Sequence, residues 1–137
     1  MKWLVVEDKN IADLYLKVFG QNKTNLLENI VEAFADQITN INQLKTNLKE
    51  KIVVKENDFE KLILEFINQL VYLKDVKKEL FKKGKFLLEN KTLQATLFGQ
   101  KITAKLPLKV DIKALTYHKF KIEKDKNGYQ VHLVFDI

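Results

Sequence analysis

The chain has 137 residues, 46% of them hydrophobic and 31% charged, a balance that suits one folded domain with its own core across residues 1–137. It contains no Cys, no Ser and no Arg. That excludes disulfides, zinc–thiolate sites, thiol and serine nucleophiles, and arginine fingers. Only two histidines are present, His118 and His132, too few for a three-histidine metal site.

The elements read in chain order as βαβα followed by strands. Residues 2–6 and 12–19 read as a strand pair, with Leu14, Leu16 and Val18 alternating against Asp13, Tyr15 and Lys17. Gly20 ends the second strand. Helical spacing of Leu27, Ile30, Val31, Phe34 and Ile38 predicts a helix over 24–38, with Thr24 as its N-cap. Ile52-Val53-Val54 is a short β-branched strand. Asn57 and Glu60 then read as a capping box for a second helix running to about Lys74. Phe59, Leu62, Ile63, Phe66, Ile67, Leu70 and Leu73 give that helix one wide apolar face.

Strand signals dominate the rest. Residues 85–89 and 93–98 flank an Asn90-Lys91-Thr92 turn, and Pro107 marks a strand end or an edge. Residues 112–118 and 119–124 continue the sheet. Asp125-Lys126-Asn127-Gly128 is a strong turn before an alternating last strand. The expected class is α+β in two layers, both helices packed on one face of a single mixed sheet. Nothing resembles a secretory leader or a span of 18 apolar residues, which predicts a cytoplasmic protein without membrane contact.

Charge is uneven. Residues 1–68 carry a net −2 and residues 69–137 a net +8, within a total of +6. The lysines are densest from Lys74 to Lys85. A basic half attracts RNA or an acidic protein, and a plain solvated face has the same composition. Without Arg there is no bidentate base readout, and no aromatic pair interleaves this run of lysines. The expectation is weak RNA contact.

Catalytic groups are sparse. His132 and Asp136 share a strand face but stand about 13 Å apart, four residues at about 3.3 Å each, so they form no dyad. His118 suits either acid–base work or a structural role. The ending Val134-Phe135-Asp136-Ile137 sets a side-chain carboxylate beside a terminal one. Asp13 joins them if the strand ends are neighbours. Three such anions need a divalent cation, a Lys or a proton, unless the terminus is simply solvated.

Lys113-Ala114-Leu115-Thr116-Tyr117-His118, the Asn127-Gly128-Tyr129 turn and the Val134-Phe135-Asp136-Ile137 ending together resemble the archease family, over essentially the whole chain. The resemblance implies an accessory protein of the tRNA-splicing ligase, which seals RNA ends with manganese and GTP. Such a protein promotes guanylylation of the ligase and multiple turnover, and is not itself the enzyme. It also implies a divalent-metal site, calcium foremost, at Asp13, Asp136 and Ile137. Archeases usually read Asp-His-Thr-Ala-Asp where this chain reads Lys9-Asn10-Ile11-Ala12-Asp13. The competing reading is a direct tRNA- or RNA-binding module, or a modulator of a tRNA methyltransferase, using the basic second half.

Overall fold

The computed structural model describes residues 1–9 and 13–137, so the Asn10-Ile11-Ala12 stretch lies outside the described residues. Its order is β1 (Trp3–Val5), β2 (Leu14–Gly20), α1 (Lys23–Ile38), β3 (Leu48–Lys55), α2 (Phe59–Asp75), β4 (Glu79–Glu89), β5 (Thr92–Lys101), β6 (Ala114–Leu115), β7 (Lys121–Asp125) and β8 (Gly128–Asp136). The α+β class and both helices are as the periodicities predict. The strands assemble differently from expectation. They divide into two sheets rather than one, and every pair is antiparallel rather than mixed.

The first sheet runs β1-β2-β8-β6, with β7 also paired to β8; the second runs β3-β5-β4. The helices lie against both. α1 packs on β2, β8 and β4, and α2 on β3, β4 and β6. Their stripes enter one hydrophobic cluster in which Leu27, Phe34, Ile63, Phe66 and Leu70 are buried as expected; Phe59 packs against its rim, half-buried.

Local chemistry sets the boundaries. Asn22, not Thr24, caps α1 by accepting from the Asn25 N–H. Asp58, not Asn57, caps α2 by accepting from the Glu60 N–H. The β4–β5 hairpin turns on Asn90 and Lys91, at φ 51° and 63°, the left-handed pair that a two-residue turn requires. Gly128 opens β8 at φ 126°, and a Cβ there would stand 2.3 Å from the Gly20 carbonyl oxygen, so only glycine fits. The expected strand over 112–118 shrinks to β6, because the backbone turns into a 3-10 helix at Tyr117–Lys119. Pro107 lies in the irregular connection before it, where its carbonyl accepts from the Thr39 hydroxyl at 2.6 Å.

Two charged clusters brace the frame. Lys74, buried near the end of α2, binds Asp75 and reaches Asp111 at 2.9 Å. That hydrogen bond and charge hold the Asp111 carboxyl below its ordinary range. Glu79 is buried at the start of β4, and its Oε1 has no hydrogen-bond partner among the described residues. Burial foremost, then hydrogen bonding and repulsion from Glu50, push its carboxyl up, although Lys101 at 3.2 Å pulls the other way.

A raised folded-state pKa means the folded chain holds that proton more tightly than the unfolded one. Stability from this group is full below the ordinary value of 4.5 and is lost as pH rises through the folded value. Glu79→Gln removes the titration and leaves an amide able to donate to Glu50. Its melting temperature relative to the parent should therefore climb between pH 4 and pH 8. A difference that stays constant across that range would sink the assignment.

Candidate functional site

β2 and β8 pair with Leu14 opposite Phe135. The next residues outward, Asp13 and Asp136, thus stand at adjoining strand ends. β6 closes the other flank of β8, with Ala114 opposite Asp136 and the Lys113 N–H donating to the Asp136 carbonyl at 2.8 Å. Strand alternation places both aspartates on the face away from the core. Leu16, Val18, Leu133 and Phe135 face inward and are buried, while Asp13 and Asp136 are exposed. Ile137 follows directly and is 43% exposed. Beside Asp13, an open concavity of about 500 Å³ is lined by Val6, Glu7, Asp8, Lys9 and Tyr15, among others.

The donors at this edge are all oxygens, the class that hard cations take. Among the described residues, no three His, Asp or Glu side chains form a group that could hold a metal. At this edge the register supplies two side-chain carboxylates, Asp13 and Asp136.

On the same face, four residues back along β8 from Asp136, lies a network that sequence reading missed. His132 is too far from Asp136 for a dyad, as expected, and it has other partners. Its Nδ1 lies 2.6 Å from the Tyr15 hydroxyl, and its Nε2 lies 2.8 Å from Glu123 Oε1. With the proton on Nε2, the imidazole donates to Glu123 and accepts from Tyr15. The imidazole bond, with help from Lys121, draws the Glu123 carboxyl below its ordinary range. The network ties β7 to β2 across β8. Its signal in the sequence was only the alternation that puts Tyr15 and His132 on the polar face; the register was needed to join them. His118 and Tyr117 are exposed in the 3-10 turn, and the Tyr117 hydroxyl accepts from Asn68 of α2 at 2.7 Å.

A paired β2–β8 frame, two helices bridging two antiparallel sheets and a carboxylate pair at the open end define a small α+β protein with an exposed anionic edge. The chain belongs to the archease family: the model described as "Archease protein family (MTH1598/TM1083)" matches residues 6–137. Similar relatives include protein archease of Pyrococcus furiosus, 30% identical, with the alignment covering 94% of this chain and 95% of that one. Protein archease of Archaeoglobus fulgidus is 29% identical over the full length of both chains. Among solved structures, Methanobacterium thermoautotrophicum protein 1598 superposes with a TM-score of 0.81 over 99% of both chains at 17% identity. The archease of Thermotoga maritima, described as a possible chaperone, gives 0.69 over 98% of both at 20% identity. At those identities the two structures speak to the fold, and they agree with it.

Proposed function

We propose that this chain is an accessory protein of a tRNA-splicing RNA ligase, acting in the cytoplasm to promote guanylylation of the ligase and its multiple turnover. Membership of the archease family supports the accessory role. The observation that carries the reading is the β2–β8 register, which brings Asp13 beside Asp136 at an exposed end next to Ile137. Asp13, Asp136 and the Ile137 carboxylate would hold a divalent cation, calcium foremost, and the cation would supply positive charge at the edge presented to the ligase.

The chain's own part is positional. Pairing with Ala114 of β6 fixes the backbone of Asp136, and the adjoining Leu14–Phe135 pair sets the backbone of Asp13 beside it. The test is a single-turnover guanylylation assay with purified ligase, GTP and manganese, with and without the protein. The expected result is faster formation of the ligase–guanylate and product beyond one equivalent. An unchanged rate at saturating protein would refute the reading.

A further inference from the structure

The outer face of the second sheet carries a feature that no linear reading of the lysines contains. Register places Lys49 and Lys83 on either side of Phe98, and Lys51 and Lys85 on either side of Thr96. The next row is Val53, Gln94 and Leu87. Core-facing Leu93, Ala95, Leu97 and Gly99 are buried, while all four lysines, Val53, Gln94 and Leu87 are exposed. Lys83 and Lys85 hold their ammonium groups 5.8 and 5.9 Å from the centre of the Phe98 ring. No ion pair engages these four lysines among the described residues. The only acid in these outward rows is Glu89, at the far end opposite Thr92.

We propose that this face of the β3-β5-β4 sheet binds single-stranded RNA, the four lysines meeting phosphates and Phe98 giving a base a surface to stack on. Strand geometry spaces the lysines about 7 Å apart along each strand and about 10 Å across the sheet. That makes a flat cationic frame around one aromatic ring. Lysines on the two edge strands also guard a sheet against edge-to-edge pairing. That role does not call for a phenylalanine on the solvent face of the central strand. A sheet with a central aromatic and basic flanks is a surface on which splayed bases stack. Lysine supplies point charges without bidentate base reading, so binding is indifferent to sequence. The face lies on a different sheet from Asp13 and Asp136, so RNA binding and ligase activation are separable.

The experiment measures anisotropy of a labelled 20-nucleotide oligouridylate against the full chain over a series of salt concentrations, without ligase. One variant carries Lys49→Gln, Lys51→Gln, Lys83→Gln and Lys85→Gln. A control with equal charge loss carries Lys61→Gln, Lys105→Gln, Lys119→Gln and Lys126→Gln. The face variant should bind at least tenfold more weakly, with the slope of log K against log salt reduced by about 3, from about 0.7 per phosphate. The control should keep most of the affinity, and both should melt as the parent does. Phe98→Leu, which keeps an apolar stem under the lysines, should weaken binding about fivefold with the slope unchanged. The proposal is overturned if the face variant binds as the control does. It is equally overturned if a poly-glutamate peptide of similar charge competes as well as RNA, which would assign the face to an acidic protein.

Discussion

Phe66→Ala should lower the stability of the chain by about 3–5 kcal/mol, the usual cost of emptying a buried aromatic site. Phe66 sits in the middle of α2 with no exposed surface. Its ring meets Phe86 of β4 edge to face, with centroids 5.5 Å apart and planes at 82°. The residue therefore joins the second helix to the second sheet. Truncation removes apolar contact from both and leaves a cavity that neighbouring elements cannot close without shifting. Against a total stability of about 5–15 kcal/mol, the loss is large. Urea unfolding should show a lower midpoint with the same slope. Phe86→Ala should cost less, since Phe86 is half-buried, and the double variant should reveal a coupling of about 0.5–1.5 kcal/mol for the ring pair. A midpoint shift equivalent to less than about 2 kcal/mol for Phe66→Ala would mean that α2 is not held as described.

The elements of this fold were written in local periodicity, and their assembly was not. Leu14, Leu16 and Val18 alternate, and the α2 stripe repeats at helical spacing, so β2 and α2 could be read from neighbours alone. Caps moved by one or two residues because Asn22 and Thr24, or Asn57 and Asp58, are chemically equivalent candidates; the geometry of the entering chain selects one. The division into two sheets depends on which strands pair. β2 finds β8 across more than a hundred residues, so no window of sequence contains that information. The strand expected over 112–118 failed for another reason. Its apolar residues Ile112 and Leu115 are buried, but as anchors of an irregular connection and a two-residue strand rather than as an alternating row.

The sites divide along the same line. Asp136 stands out as the acid that ends the last strand beside Ile137, and alternation put Asp13 on the polar face of β2 as a residue that could join it; the resemblance to archeases pointed to the same pair, and the register then made them neighbours. The Tyr15–His132–Glu123 network and the Lys49–Phe98–Lys83 row each draw residues from three strands, so each exists only once pairing is known. The dense run from Lys74 to Lys85 was visible as charge. Three of its members were absorbed by the structure itself: Lys74 holds Asp111, Lys77 lies 3.6 Å from Glu50, and Lys82 donates to the Leu44 carbonyl. Of the rest, Lys78 lies in the turn before β4, and Lys83 and Lys85 are turned outward by strand alternation.

Asp136→Ala should reduce ligase activation to the level seen without the protein, while the melting temperature stays close to that of the parent. The stability half follows from exposure: the side chain lies outside the core, and surface substitutions of this kind usually change stability by no more than about 0.5 kcal/mol. The functional half follows from the carboxylate count. Were Asp13, Asp136 and the Ile137 carboxylate to share a cation as proposed, losing one would remove one of its three anionic donors. Asp13→Ala should behave alike, and a residue appended after Ile137 should impair activation by carrying the terminal carboxylate away from the pair. Calcium gives a reading independent of the ligase. If the cation is held here, added calcium should raise the melting temperature of the parent and not that of Asp136→Ala, because only a ligand bound to the folded state stabilises it. If calcium leaves the parent unmoved while Asp136→Ala still abolishes activation, the edge meets the ligase directly, with Lys9 in the adjoining concavity as its counter-ion. If Asp136→Ala and the appended variant both activate as well as the parent, the carboxylate edge plays no part in the ligase's chemistry.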